Sequence, residues 1–398
     1  MTQETIPFAK PFIGKEEEDA VLNVLRSGWL TTGPQAASFE QEFAEFLGGG
    51  DLRALAVNSA TSGLHLAIEA CGVKAGDVVI TPSYTFAATA AAAVHLGAEI
   101  AFADTARDSF LICPDRLERT VKRLAEGKSA YPDGGPKGVP KAVIPVHFGG
   151  LPCDMDAIMR IARQYSLAVI EDAAHSFPAP LGNGRFAGTE GDAGVFSFYA
   201  TKTITAGEGG MVVTRNGKLA QRIELMRLHG IDRPVWNRYT ENKAAWYYEI
   251  EEAGFKCNFC DLLAAVGRVQ LQRAVQLWEM RKTIAAAYDT AFSADERFFI
   301  PPTSAANARH LYPLRINPEK CSGTRNQCVE KLQNQGIGVS VHFIPLHTMP
   351  YYVKRYGFKP EDFPETMRSF LNEISLPLWP GMNPAQIERV IKAVQYVC

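Results

Sequence analysis

A lysine stands between two apolar runs of the chain, in the segment SFYATKTITAGEGGMVVT at positions 197–214. Lys202 follows the run Val195 to Tyr199, and the glycine-rich turn Gly207–Gly210 precedes the second run, Met211 to Thr214. Because an isolated ammonium is costly to bury, this lysine must either reach water or be held where its charge is given up in a reaction. In the second case its amine can act as a nucleophile and carry protons.

Two further polar sites follow predicted strands. Asn58 to Gly63 is rich in small residues and begins a predicted helix, where exposed backbone N–H groups and the helix dipole favour an anion. Asp172 ends the apolar run before Ala173 and Ala174. Taken singly, a serine-rich cap, a turn-forming aspartate and a solvated lysine are ordinary structural features. The carboxyl ends of parallel strands share one edge of a sheet, so we expect the three sites to lie together.

An anion site, a carboxylate and a lysine are together what pyridoxal 5′-phosphate (PLP) requires of a protein. PLP has a phosphate to be bound, a pyridine nitrogen that must stay protonated, and an aldehyde that condenses with an amine. The residues therefore predict a PLP site in which Lys202 loses its isolated charge by forming a Schiff base.

The elements that must position these residues alternate between apolar strands and helices. Continuous apolar runs separated by helical segments are typical of a mainly parallel sheet covered on both faces. Helices are predicted over 16–27, 38–47 and 64–71, and strands over 77–81, 99–103, 142–147, 167–171, 194–198 and 211–214. The prediction divides this α/β chain into a large domain over 1–260, a bridging helix over 261–294, and a smaller α+β domain over 295–398 with strands at 311–316 and 338–343.

Composition limits the functional classes. The 398 residues carry a formal net charge of −2, and no basic run is interleaved with aromatics, so we expect no nucleic-acid partner. The polar first residues lack an apolar signal region and the apolar runs are interrupted, which predicts a cytoplasmic protein with no membrane span. The pair Cys257 and Cys260 has no second pair at similar spacing, so no metal site is predicted.

A series of short motifs extends over nearly the whole chain, from GWLTTGP at 28–34 to SLPL at 375–378. Between them stand TPSYTF at 81–86, PVHFGG at 145–150, EDAAH at 171–175, SFYATK at 197–202, EGG at 208–210 and GIGVSVHF at 336–343. In this order the motifs resemble the DegT/DnrJ/StrS family of PLP-dependent sugar aminotransferases, which have the fold-type I architecture. The chain departs from the common pattern at Ala200, where proline is frequent, and over 127–136 and 233–252, which look longer than usual.

The resemblance implies specific roles at the cofactor. Lys202 would form the Schiff base, Asp172 would pair with the pyridinium nitrogen, and His175, where many members have Gln, would hydrogen-bond the ring hydroxyl. The implied cofactor-binding residues are Phe86 and Ala174 on the two faces of the ring, Ala60, Thr61 and Ser197 at the phosphate, and Asn258 at the phosphate of a neighbouring subunit. The last role implies a homodimer with shared sites.

The resemblance also implies a ping-pong transamination from L-glutamate to a ketone on a nucleotide-linked deoxysugar. The EGG motif resembles members that aminate C4 of 4-keto-6-deoxy sugars, whereas members that aminate C3 more often carry DGG. Candidate substrate contacts are Trp29, Thr31, Glu208, Tyr312, His342 and His347; a structural role for each histidine remains open. Trp236, Arg238, Trp246 and Tyr247 could contact a nucleotide or pack at the dimer interface.

Alternative functions remain open at this stage. Amination of a C3-keto sugar or a keto-inositol uses the same site. A sugar dehydratase would carry histidine in place of Lys202, and a nicotinamide oxidoreductase would need a G-x-G-x-x-G segment that 58–63 does not supply. A regulator that binds PLP or a sugar nucleotide without turnover would not need Lys202 and Asp172 together.

Overall fold

A computed structural model describes residues 4–232 and 247–398 and contains a central sheet of seven described strands. The strands are β1 (Arg53–Val57), β2 (Asp77–Pro82), β3 (Glu99–Ala103), β4 (Val139–Val143), β5 (Ala168–Asp172), β8 (Ala193–Ser197) and β9 (Gly210–Thr214), and a small hairpin contains β6 (Pro180–Gly182) and β7 (Arg185–Phe186). The strand order in the sheet is β1-β9-β8-β5-β4-β2-β3, and among these described strands only β9 is antiparallel to its neighbours.

Helices cover both faces of this sheet. One apolar cluster packs the α3 and α4 side chains against the strands, and a second cluster packs α5 and α6 against the opposite face. The helices of the first part of the chain are α1 (Lys15–Ser27), α2 (Pro34–Phe46), α3 (Ala60–Ala70), α4 (Ala87–Val94), α5 (Pro114–Ala125), α6 (Met155–Tyr165) and α7 (Gly217–Met226). The predicted fold class, a mainly parallel sheet between helical layers, is confirmed.

The strand predictions succeed where apolar runs are continuous. All residues of β2 and β9 are buried, as expected for strands covered on both sides. Strand β1 is missing from the prediction because its sequence, RALAV, contains two alanines, which favour strands little. The predicted strand over 142–147 lies earlier, at Val139–Val143.

A second sheet has three antiparallel strands, β10 (Phe298–Phe299), β11 (Tyr312–Ile316) and β12 (Glu373–Leu376). The predicted strand over 338–343 is wrong, because that segment forms an isolated bridge between Ser340 and Ser375, and β12 occupies the sheet position. The remaining helices are α8 (Asp261–Gln272), α9 (Ala274–Phe292), α10 (Arg325–Asn334), α11 (Pro350–Tyr356), α12 (Pro364–Asn372) and α13 (Pro384–Val397).

The N-terminal segment packs with this second sheet and not with the first. Ile6 is buried in the apolar cluster of β11 and α13, its N–H donates to the Gly336 carbonyl at 2.9 Å, and its carbonyl accepts from the Gly338 N–H at 2.8 Å. The first residues thus associate with the C-terminal unit, although the prediction assigned them to the large domain. The division at residues 260 and 294 stays a prediction.

Two helices replace the single bridging helix predicted over 261–294. Arg273 separates α8 from α9 with a non-helical φ of −99° and ψ of 2°. Further along α9, the buried Arg281 donates to the Leu378 carbonyl at 2.8 Å, the His310 carbonyl at 3.2 Å and the Thr201 carbonyl at 3.4 Å. This guanidinium therefore connects the lysine-bearing loop to the C-terminal unit. None of the described helices has the length and apolar content needed to cross a membrane.

Candidate active site

A cavity of about 500 Å³ opens at the carboxyl ends of β1, β5 and β8, beside segments from the C-terminal unit. Ligands bind at this edge in open α/β sheets. The predicted site residues that line the cavity are Ala60, Thr61, Phe86, Asp172, Ala174, His175, Ser197, Lys202, Glu208 and His342. The structure thus brings together residues that lie far apart in the sequence.

The start of α3 forms an anion site at one side of the cavity. Ser59 caps the helix by accepting a hydrogen bond from the Ser62 N–H at 3.1 Å, and within the described chain the N–H groups of Ala60 and Thr61 have no acceptor. A Cβ atom at Gly210 would lie 2.6 Å from the Ala60 nitrogen, so glycine is needed where β9 approaches this turn. Two unpaired N–H groups at the positive end of a helix fit a phosphate.

Ser197 and Phe86 add contacts for a flat, phosphorylated ligand. The Ser197 hydroxyl accepts a hydrogen bond from the Tyr199 N–H at 3.3 Å, which leaves its own proton for an anion in the cavity. Phe86 lines the cavity although 61% of its surface is exposed, so an aromatic face is offered to a ligand. Ala174 lines the same cavity with a side chain too small to obstruct a ring.

Asp172 is a buried carboxylate held in a fixed orientation. Its Oδ2 accepts a hydrogen bond from the Thr89 hydroxyl at 2.7 Å, and its Oδ1 accepts one from the Ala174 N–H at 3.2 Å. Burial raises the pKa of Asp172, while the Thr89 hydrogen bond and the positive charge of Lys202 oppose that rise. A protonated ring nitrogen would supply this carboxylate with a cationic partner in the cavity.

Lys202 lies in the connection between β8 and β9, where its backbone N–H donates to the Tyr199 carbonyl at 2.9 Å. Burial lowers the pKa of its amine to about 8; the Asp172 carboxylate opposes this shift and the Arg281 charge adds to it. A substantial fraction of the amine is therefore neutral near physiological pH, as a nucleophile and proton carrier requires.

His175 has a defined tautomer. Its Nδ1 accepts a hydrogen bond from the Gly149 N–H at 3.2 Å, so the ring proton lies on Nε2. Burial, with the charges of Lys202 and His342, holds the pKa of His175 well below its ordinary value. The neutral ring can thus donate from Nε2 to a ligand oxygen.

The sequence predictions did not include several cavity residues. The His310 ring lies 4.4 Å from the His175 ring, and its Nδ1 has no partner among the described residues. The missed lining residues include Thr89, Tyr199, His310 and Phe343. Thr89 follows the TPSYTF motif by one helical turn, a spacing that could have indicated it, whereas His310 has no local signal.

Two predicted substrate contacts need correction, because their side chains are fully buried away from the cavity lining. Tyr312 is in the core of the C-terminal unit and donates to Asp289 Oδ1 at 2.8 Å. His347 places its Nδ1 3.0 Å from the Ser83 hydroxyl oxygen. Both side chains support the fold around the cavity and do not line it.

Three other predicted residues form a separate surface unit outside the cavity lining. Asn258 donates from Nδ2 to the Thr32 hydroxyl at 2.6 Å, which places it beside the loop that contains Trp29 and Thr31. The Thr31 carbonyl accepts the Asp261 N–H at 3.1 Å and so fixes this loop to the start of α8. Tyr247 is exposed, and the predictions for Trp236, Arg238 and Trp246 lie outside the described residues.

Residues 11–395 match the sequence model of the DegT/DnrJ/EryC1/StrS aminotransferase family. The chain belongs to this family. It is 43% identical over 393 residues to the spore coat polysaccharide biosynthesis protein SpsC of Bacillus subtilis, covering 98% of this chain and 96% of that protein. The PMP form of Spr1654 from Streptococcus pneumoniae, a sugar aminotransferase by its description, superposes with a TM-score of 0.86 at 28% identity, covering 98% of each chain. DesI in the presence of its TDP-sugar product superposes with a TM-score of 0.83 at 27% identity, covering 100% of this chain and 93% of that one.

The fold, the family and the cavity together make this chain a PLP-dependent sugar aminotransferase of fold type I. The donor set fits the cofactor: unpaired N–H groups for the phosphate, Asp172 for the ring nitrogen and Lys202 for the aldehyde. When bound, PLP supplies an electron sink that stabilises a carbanion next to the amino nitrogen.

Proposed function

We propose that this aminotransferase moves the amino group of L-glutamate to a nucleotide-linked keto-deoxysugar, at C4 of a 4-keto-6-deoxy sugar. The observation that carries the proposal is the position of Lys202, with its lowered pKa, in one cavity with the buried Asp172. Amino transfer needs both a neutral amine to move protons and an anion to keep a ring nitrogen protonated. A protein that only bound the cofactor would need neither.

The roles of the cavity residues follow from their contacts. Ala60 and Thr61 would hold the phosphate through their N–H groups, and Ser197 would add a hydroxyl donor. Asp172 would stabilise a proton on the ring nitrogen. His175 would donate from Nε2 to the ring hydroxyl, and the neutral Lys202 amine would accept and return the proton of the substrate carbon.

The choice of acceptor is supported by the EGG segment and by one relative. Glu208 lines the cavity and belongs to the segment that resembles C4-aminating members. DesI, which has the same fold, is described with a TDP-sugar product. Glu208 and His342 are therefore the proposed substrate contacts, and amination of a C3 ketone or a keto-inositol is the alternative outcome of the substrate test.

A homodimer with shared sites is proposed from the surface unit around Asn258. Asn258 and Thr32 are hydrogen-bonded outside the chain's own cavity lining, so they are available to the cavity of a second subunit. Leu22, Leu25 and Leu30 are 39%, 50% and 48% exposed on α1 and the adjoining loop, an apolar surface that a subunit contact would cover. Asn258→Ala should weaken PLP retention on dialysis while light scattering still reports a dimer; unchanged retention contradicts the shared site.

The decisive experiment incubates the PLP-loaded protein with L-glutamate and UDP-, dTDP- and GDP-linked keto sugars. We expect 2-oxoglutarate to form in equal amount with one amino sugar, and NMR to place the new amine on C4. Lys202→Ala is the matched control and should bind PLP without turnover. Borohydride should attach PLP covalently to the wild type but not to this variant, as measured by mass spectrometry. A wild-type protein that transfers no amine to any keto sugar would refute the proposed function.

A further inference from the structure

A chain of three side chains leads from a buried carboxyl to the cavity. The His342 Nδ1 lies 2.8 Å from the Ser375 hydroxyl oxygen, and this hydroxyl donates to Glu373 Oε1. Glu373 and Ser375 are fully buried, whereas His342 lines the cavity. The proposed amino transfer assigns no role to Glu373 or Ser375.

The backbone holds this chain of side chains in place. Glu373 and Ser375 are two residues apart on β12, so their side chains project from the same face of the strand. Glu373 Oε2 accepts the backbone N–H of His342 at 3.0 Å. Ser340 and Ser375 exchange backbone hydrogen bonds of 3.2 Å and 2.9 Å, which fix the distance between the two segments.

The hydrogen bonds have two consistent arrangements that differ by one proton. When Glu373 is ionised, Ser375 donates to it, His342 Nδ1–H donates to Ser375, and Nε2 presents a lone pair. When Glu373 is protonated, each hydrogen bond reverses, and His342 presents an Nε2–H donor. His342 Nε2 has no partner among the described residues.

We propose that Glu373, Ser375 and His342 form a proton relay between the cavity and a buried carboxyl. His342 Nε2 takes a proton from the ammonium of the amino donor, the Nδ1 proton passes to Ser375, and the Ser375 proton passes to Glu373. In the reverse direction, the same proton goes from Nε2 to the ketone oxygen that leaves the acceptor as water. One N–H bond of the donor breaks and one O–H bond of the water forms through the relay. The amine that attacks the ketone supplies the second hydrogen of this water, and the relay returns to its starting state.

The charges around the relay explain why His342 alone would be a poor proton acceptor. Burial and the charge of Lys202 lower the pKa of His342 to about 4, so its cationic form is disfavoured at neutral pH. The relay lets Nε2 gain a proton while Nδ1 loses one, so the ring stays neutral. Burial raises the pKa of Glu373 to about 8, which allows this carboxyl to exchange a proton near neutral pH.

Other charged and titratable groups surround Glu373 and His342. They are Arg325, Tyr84 and Arg315 around Glu373, and Lys202, His175 and His310 around His342. The Arg325 charge favours the ionised carboxylate and opposes the effect of burial on Glu373. The midpoint of the proton exchange therefore belongs to the relay in this environment and not to an isolated glutamate.

The test records ¹⁵N NMR spectra of histidine-labelled, PLP-loaded protein from pH 6 to 10, with His342 assigned by its loss in His342→Gln. We expect neutral His342 to change from the Nε2–H to the Nδ1–H tautomer as pH rises through about 8. Glu373→Gln keeps an acceptor for the His342 N–H and should lock the Nε2–H tautomer. Ser375→Ala should abolish the change, and Asp289→Asn, a partly buried acid bonded to Tyr312, is the matched control that should preserve it.

A single His342 tautomer throughout this range, or a change to the imidazolium, would overturn the relay. A purely structural role for Glu373 would leave the tautomer change intact in Glu373→Gln. In steady-state assays we expect Glu373→Gln to lower kcat at least about tenfold with little effect on KM; an unchanged kcat in that variant contradicts the relay.

The relay rests on the proposed function for its substrates, but a failure of the relay can be distinguished from a failure of the proposed function. The spectra need no sugar, so an inactive substrate panel with a normal tautomer change would refute the proposed substrates alone. Amine transfer without a tautomer change would refute the relay alone.

Discussion

Asp172→Asn should make the Lys202 amine more reactive and the enzyme much less active. The Asp172 carboxylate raises the pKa of Lys202, whereas burial lowers it to about 8. At pH 7.5, about one quarter of an amine with that pKa is neutral, compared with about one in a thousand for an ordinary lysine. Without the carboxylate, the pKa of Lys202 falls further, and a fall of about half a unit would double the neutral fraction.

The substitution should not disturb the local structure. The asparagine oxygen can still accept the Ala174 N–H, and the Thr89 hydroxyl can turn to accept from the new amide. Turnover should nevertheless fall by roughly two orders of magnitude or more, because the ring nitrogen loses the anion that holds its proton.

Competitive acylation of the PLP-free protein measures the amine directly. A limiting amount of acetic anhydride is added over a range of pH, and mass spectrometry quantifies modification of Lys202 against the exposed Lys218 in the same sample. We expect a midpoint near pH 8 in the wild type and a lower midpoint in Asp172→Asn. A midpoint that rises or stays unchanged in the variant would refute the electrostatic coupling between these two residues.

Three further predictions concern the groups around the cavity. Thr89→Val removes the 2.7 Å hydrogen bond to Asp172 and should reduce kcat about tenfold, measured at saturating substrate, since a hydrogen bond to a charged group contributes about 1.5–3 kcal/mol. Gly210→Ala places a Cβ atom 2.6 Å from the first amide nitrogen of α3 and should weaken PLP binding at least about tenfold in absorbance titrations, whereas Gly217→Ala, which has open space around it, should not. Between pH 4.5 and about 8, Glu373 keeps its proton in the folded state and loses it in the unfolded state, because burial raises its pKa. The free energy of unfolding of the wild type should therefore fall as the pH rises through this range, relative to that of Glu373→Gln, when both are measured by urea titration.

The sequence predicts the fold best where burial on both sides of a strand leaves a continuous apolar run. Strands β2 and β3 match the expectation closely for this reason. Strand β1, with its two alanines, is missing from the prediction, and the strand predicted over 338–343 is wrong; in both segments strand pairing depends on neighbours distant in the chain. The break at Arg273 was also missed, since no proline or glycine marks the helix boundary.

The cavity could be predicted in part because polar residues directly follow strands that the sequence reveals. Asp172 ends β5, and Lys202 follows β8, so their proximity follows from the topology of a parallel sheet. The assignment of Tyr312 and His347 to the substrate is wrong because the sequence does not indicate which side of their segments is buried. Glu373 was not singled out, because only its tertiary hydrogen bonds connect it to the cavity.

The buried guanidinium of Arg281 has a consequence for how ligands enter. Its three acceptors are carbonyls of segments that meet only in the folded protein, and no carboxylate among the described residues pairs with it. Swinging the C-terminal unit, with its His310 and Leu378 carbonyls, away from the lysine-bearing loop would break the hydrogen bond between this cation and the Thr201 carbonyl, at a cost of about 1.5–3 kcal/mol. We therefore expect the two units to keep a constant mutual orientation, so that substrates are admitted by small rearrangements at the rim and not by opening of a hinge.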